Sequence, residues 1–134
     1  MVTWKQFEES EPELAALGEG QLFQFGVGLA FLATVRKDGA PRLHPLCPVL
    51  HDGHLYIFVP QSSPKREDLL RDGRYALQVF PPPKEVSEEF YLTGKAVLIR
   101  SPAALHNRRL LLQLRDVQSS VATQISLACP CQAG

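Results

Sequence analysis

Arg42 and His44 stand two residues apart in PRLHPL, a run that reads as a strand, so their side chains face the same way. Further on, Ser62-Ser63-Pro64-Lys65-Arg66 has the make-up of a helix start. Ser63 suits the N-cap and Pro64 the first helical position. Unpaired backbone N–H groups at such a start, with Lys65, Arg66 and an arginine projecting from a nearby strand, form a site suited to phosphate. The same residues also suit a solvated basic surface, the commoner use of such charges. His44 has the chemistry to polarise a ligand or to titrate near neutral pH, or it simply hydrogen-bonds at a sheet surface. His51 and His54 flank a turn and with His44 make no metal-binding spacing. No Ser-His-Asp set, paired acid or nucleophilic cysteine is recognisable, so no catalytic residue is assigned.

The elements that must position these groups are marked by turns. Asp38-Gly39 and Asp52-Gly53 each lie between apolar runs, a strong hairpin signal because Gly accepts positive φ. They delimit a first strand over Phe25–Val35, a second over Arg42–Leu50 and a third over Leu55–Pro60. On the first, Leu29, Phe31, Ala33 and Val35 oppose Ala30, Leu32 and Thr34. Both faces are largely apolar, which predicts a central strand covered on both sides. Pro41, Pro45 and Pro48 cannot donate to a ladder, so the second strand is an edge, a bulged strand, or one whose free side faces a ligand. Cys47 falls on the face opposite Arg42 and His44 and reads as a small buried residue.

A helix after Ser63 leads to a fourth strand over Arg74–Phe80, where Gln78 is the lone polar residue of an apolar run. A stiff polar loop, Pro81 to Glu89, precedes a fifth strand over Phe90–Arg100 with a bulge or bend at Gly94. Ser101-Pro102 then opens a leucine-rich helix through about Arg115, and Val121–Ala128 reads as a sixth strand. At the other end, Thr3-x-x-Gln6 and Ser10-x-x-Glu13 look like capping boxes for helices near 4–9 and 11–17, the second closed by Gly18 and Gly20. Trp4, Phe7, Leu14 and Leu17 are placed to lie over a sheet, with Trp4 as a packed anchor.

At 134 residues the chain is read as one domain, 1–134, long enough to bury a core. It divides into an N-terminal helical segment (1–20), a barrel core (25–100) and a helix with a tail (101–134). Lys and Arg balance Asp and Glu at 14 each, so no strong field for nucleic acid or a membrane surface is implied. The distribution is uneven. Glu8, Glu9, Glu11, Glu13 and Glu19 face only Lys5 at the start, whereas Lys95, Arg100, Arg108, Arg109 and Arg115 face only Asp116 beyond residue 90. No signal peptide or run of transmembrane length is visible. Cys47, Cys129 and Cys131 make no paired framework, and Cys129-Pro130-Cys131 lacks zinc spacing. A reduced, cytoplasmic setting is expected.

Strands in hairpins, a helix between the third and fourth and another after the fifth predict a mainly β (α+β) fold, a small closed or partly open barrel. The order and spacing of four pieces sharpen this: ATV-x-x-DG-x-PR, DG-x-LY-x-F, S-x-K-x-x-x-L-x-x-D-x-R-x-AL and LTGKA. Over roughly Leu29 to Ile99 the chain resembles the flavin-binding split-barrel family typified by pyridoxamine 5'-phosphate oxidase. The resemblance implies a split β-barrel of Greek-key type with flanking helices, packed as a homodimer with flavin mononucleotide (FMN) in clefts at the interface. It implies phosphate and ribityl contacts at Arg42, Leu43, His44 and Pro45, and flavin-side contacts at Phe58 and Val59. Phosphate binding would also involve Ser63 and Lys65, with a polar contact from Glu89. Three departures mark a short relative and not the oxidase itself. Pro64 replaces a basic residue, Glu89 stands where a neutral amide is usual, and the oxidase's arginine-bearing C-terminal ending has no match.

An FMN-dependent oxidoreductase acting on a small organic substrate is the activity implied. The alternatives are a non-catalytic flavin- or haem-binding module, a deazaflavin-using relative, or an interaction domain that has lost its cofactor.

Overall fold

The computed structural model describes residues 2–80, 88–99 and 109–123. The chain runs α1 (Trp4–Ser10), α2 (Pro12–Leu22), β1 (Ala30–Val35), β2 (Pro41–Leu46), β3 (Val49–His51), β4 (His54–Pro60), α3 (Pro64–Arg71), β5 (Arg74–Val79), β6 (Glu88–Ile99) and β7 (Arg109–Thr123). All seven strands form one antiparallel sheet in the order β2-β1-β5-β6-β7-β4-β3. The two edge strands, β2 and β3, are joined by Cys47 and Pro48 alone. So short a link forces the edges of a seven-stranded sheet towards each other, and the sheet curls into a half-barrel. This is the split barrel with flanking helices that the sequence predicts.

The turns are those the Asp-Gly pairs specify. Asp52 and Gly53 take φ of 50° and 73°, the two positive values of a type I′ hairpin between the paired His51 and His54. At the other hairpin Gly39 has φ of 85°, and Asp38 Oδ1 accepts from Ala40 N at 3.0 Å. The register then sorts side chains by face. Leu32 pairs with His44 and with Leu77, and Thr34 pairs with Arg42, so these share the concave face. Leu55, Ile57, Val59, Leu77, Leu92, Leu112 and Leu114 complete that core, all buried. Phe31, Ala33, Leu43, Pro45 and Gln78 point to the convex side, where Leu43 is 66% and Phe58 44% exposed.

α1 and α2 close one side of the core. Thr3 and Gln6 form the capping box, and buried Trp4 meets Phe7 and Phe90 edge to face at 5.3 and 6.4 Å.

Several local expectations are corrected. Ser10 caps nothing: its hydroxyl donates to Phe7 O, and α2 starts from Glu11 with Pro12 in the first turn. Gly18 and Gly20 lie inside α2, and a Cβ on Gly18 would stand 2.2 Å from the Phe90 ring, so this glycine serves close packing and not termination. β1 starts at Ala30 rather than Phe25, because the 23–29 stretch folds back, with Leu29 N bonding to Leu22 O. The Arg42–Leu50 strand is two strands, broken at Cys47-Pro48. Cys47 is exposed because it sits in that break and not in a ladder.

The largest correction is at the C-terminal end. Residues 109–115, expected within a helix, belong to β7, which is hydrogen-bonded on both sides, to β4 and β6. The remainder of that helix, residues 101–108, lies outside the described residues. So do the Pro81 to Ser87 part of the proline loop, the end of the Val121–Ala128 strand and Cys129-Pro130-Cys131. Gly94 marks a register shift between Thr93 and Lys95, as a bulge requires.

Candidate functional site

β2 is the outermost strand of the described sheet, so one of its edges carries no ladder, and Pro41 and Pro45 sit on it at no hydrogen-bonding cost. Arg42 and His44 point from it to the concave side, towards α3, which packs between β1 and β4. Pro64 occupies the first turn of α3. Ser63 has the extended N-cap backbone (φ −76°, ψ 133°), yet its hydroxyl makes no capping bond and stays available.

A buried carboxylate ties α3 to the sheet. Asp68 is 3% exposed. Its Oδ2 accepts from Arg42 Nε at 2.7 Å and from Thr34 Oγ1 at 2.8 Å, and its Oδ1 from Arg71 Nη2 at 3.3 Å. Arg71 also donates to Val35 O at 2.6 Å. Burial pushes the Asp68 carboxyl up, but the hydrogen bonds from Arg42, Thr34 and Arg71 together outweigh it, and its pKa is lowered. Arg42 thus engages the protein through Nε and keeps both terminal nitrogens without a partner among the described residues.

His44 lies in the same neighbourhood. Burial lowers its pKa first, and then the charges of Lys65 and Arg42 lower it further against a smaller opposing effect of Asp68. Lys65, partly withdrawn from water, is also lowered by burial. Among the described residues, His44 Nε2 and Arg66 Nε are shut from solvent and make no hydrogen bond. Trp4 Nε1, both polar atoms of the Gln21 side chain and His54 Nδ1 are likewise buried and unpaired, so the feature does not single out this place; His44 Nε2 is the one that lies near the Lys65 and Arg42 charges. Arg42, His44 and Lys65 are thus close enough for both cations to act on the imidazole, and Ser63 precedes Lys65 at the start of α3.

The other predicted positions divide by face. Leu43 and Pro45 point to the convex side. Phe58 is there too, while the Val59 side chain is fully buried in the core and has only its backbone to offer. Glu89 sits on β6, separated from β2 by β1 and β5, where the Gln78 amide donates to it on the convex face. One chain does not bring Glu89 to the Arg42–Lys65 cluster.

Two open clefts flank α3. One of about 570 Å³ is lined by Arg36, Lys37, Arg42, Pro64 and Asp68 among others, and one of about 720 Å³ by Arg71, Arg74, Lys95 and Ala96 among others. Both are of ligand-binding size. The described residues hold no His, Cys, Asp and Glu grouping for a metal ion and no helix long and apolar enough to cross a membrane.

Asp68 and Thr34 escaped the sequence reading. Thr34 is part of the ATV piece and Asp68 falls at an unspecified position before Leu69, but their pairing spans 34 residues, which no local pattern reports.

The family model for pyridoxamine 5'-phosphate oxidase matches residues 21–119. No curated protein sequence matches the chain. Among solved structures, a conserved hypothetical protein of Mycobacterium tuberculosis superposes with a TM-score of 0.67 at 19% identity, covering 87% of this chain and 88% of that one. A candidate pyridoxamine 5'-phosphate oxidase of Listeria innocua gives 0.65 at 16%, covering 85% and 98%. The haem storage protein HutZ of Vibrio cholerae gives 0.62 at 12%, covering 84% and 93%. At such identities the likeness is one of fold.

Proposed function

Because the chain belongs to the pyridoxamine 5'-phosphate oxidase family, we propose that it is an FMN-binding oxidoreductase for a small organic substrate, working as a homodimer. The observation that carries this reading is the convergence of Arg42, Lys65 and the unpartnered His44 Nε2 beside the uncapped start of α3. Arg42 and Lys65 would supply charge-assisted hydrogen bonds to the FMN phosphate, with the Ser63 hydroxyl and the Lys65 N–H, since Pro64 has no N–H and Arg66 N bonds Ser63 O. Leu43 and Pro45 at the free edge of β2 and the exposed Phe58 ring, all on the convex side, would offer apolar surface for a flat ring system extending past that edge from the concave cluster. Bound flavin would supply hydride transfer at its N5, and the chain's part is to hold it, orient it and exclude water.

Neither Pro45, Phe58 nor Val59 can exchange a proton. Burial first, and then the charges of Lys65 and Arg42, bias His44 towards the neutral form, which can donate one hydrogen bond and accept one.

The convex face supports the homodimer. Leu43, Val49 and Phe58 are large, apolar and exposed there, and a second copy is the commonest cover for such a face. A second copy would also give Glu89 a route to the phosphate cluster of its neighbour. The second reading, a non-catalytic flavin- or haem-binding module, draws on the fold shared with the haem storage protein and on the lack of an assigned acid or base.

An absorbance spectrum of the purified protein, followed by titration with FMN and with haem, separates the cofactors. Protein loaded with FMN should lose its visible flavin band on addition of reduced nicotinamide and regain it with oxygen or a small acceptor. Flavin-loaded protein that stays oxidised with both nicotinamides would argue for the binding module or for a deazaflavin donor, which a trace with that donor distinguishes.

A further inference from the structure

A carboxylate is an unexpected neighbour for a phosphate site. Asp68 touches Arg42, the arginine assigned to the anion, and its charge opposes any anion bound there. Burying such a charge also costs desolvation that an apolar contact between α3 and the sheet would not incur. Stability alone therefore gives weak reason for it. The geometry gives another.

Asp68 takes Arg42 by Nε, the inner edge of the guanidinium, at 2.7 Å. That bond leaves the two terminal nitrogens as an open fork, the arrangement that matches two phosphate oxygens. The carboxylate is itself held by two further donors: Thr34 of β1 donates to the same oxygen as Arg42, and Arg71 of α3 donates to the other while also bonding Val35 O. Thr34, at 2% exposure, has no room to drift.

We infer that Asp68 is a positioning residue for anion binding: held by Thr34 and Arg71, it locks the Arg42 guanidinium with its terminal nitrogens turned towards the phosphate of the flavin. The inference rests on the FMN reading above and specifies how that site is built. Arg71 holds the carboxylate through Nη2, which bonds both Asp68 Oδ1 and Val35 O.

Simple electrostatics and positioning predict opposite signs, which makes the test decisive. Asp68→Asn removes a negative charge and keeps the shape. If charge alone matters, FMN binds tighter. If Asp68 positions Arg42, FMN binds weaker, by about tenfold for the loss of one well-aligned charge-assisted bond. Affinities for FMN and for riboflavin, which lacks the phosphate, are measured by flavin fluorescence quenching on wild type, Asp68→Asn, Arg42→Gln and the double variant. Ligand-free thermal unfolding is recorded for each.

The expected result is a loss confined to FMN in Asp68→Asn, riboflavin affinity unchanged, and no further loss when Asp68→Asn is added to Arg42→Gln. Unchanged or tighter FMN binding by folded Asp68→Asn, with Arg42→Gln weakened, overturns the inference and leaves the FMN reading standing. Wild-type protein that binds riboflavin as well as FMN, or binds neither, overturns both. If Asp68→Asn shows no cooperative unfolding transition, Thr34→Val decides. It keeps every charge and removes one support of the carboxylate, so it should weaken FMN several-fold and spare riboflavin, and wild-type FMN affinity in this variant overturns the inference.

Discussion

His44 shows how a single side chain is set by its surroundings. Its folded pKa lies below the ordinary 6.5, through burial first and the Lys65 and Arg42 charges next. Between the folded and unfolded values the unfolded chain holds more protons, so this residue's contribution to stability is full above about pH 6.5 and falls as pH drops through it. His44→Gln, which cannot charge, should lose less stability than wild type between about pH 7 and about pH 5, read as thermal midpoints at both. In turnover, His44→Ala should slow the reaction by less than the roughly hundredfold expected of a general acid or base. Arg42→Ala and Lys65→Ala should each weaken FMN by about ten- to a hundredfold, the worth of one charge-assisted bond. Wild-type affinity in both would remove the phosphate assignment.

At the scale of elements, close approaches decide what each segment tolerates. Gly18 lies within α2, where alanine is intrinsically favoured over glycine by about 1 kcal/mol. Its Cβ would meet the Phe90 ring at 2.2 Å, and that ring is fully buried against Trp4. Overpacking of that kind costs about 1–3 kcal/mol, so Gly18→Ala should destabilise despite the better helix former, seen as a lower urea midpoint. Gly28 is tighter still. A Cβ there would lie 2.0 Å from Pro48 O, a backbone atom of the link that joins the two sheet edges. Gly28→Ala should therefore open that seam and unfold at lower denaturant than Gly18→Ala. Equal or greater stability in either variant would contradict the packing described.

For the whole molecule, the exposed apolar residues of the convex face are what the proposed homodimer would cover. Sedimentation at micromolar concentration should give about twice the 14.9 kDa chain mass. Because Glu89 and the Arg42–Lys65 cluster lie apart within one chain, FMN retention should fall as dilution drives dissociation. A flavin-loaded monomer of undiminished affinity would exclude a site shared between copies.

Much that depends on near neighbours in the chain was legible in advance, although the Ser10 capping box and the stop at Gly18 and Gly20 were misread. Asp-Gly pairs set both hairpins because positive φ is a property of the residue itself. Ser63-Pro64 set the start of α3, and the two-residue strand period put Arg42 and His44 on one side. The order of these short signals was enough for the family. The leucines from Leu110 to Leu114 misled, because a short apolar run has no period that separates a helix from a doubly paired strand. Only pairing with β4 and β6 resolved them, and pairing partners lie far away in sequence. The same distance hid the Asp68 network, and the exposure of Cys47 depended on where the curled sheet brings its edges together. Local torsional preference was written in the sequence, whereas the partner of each buried charge and strand was decided by tertiary structure, since those contacts join residues that the chain itself keeps apart.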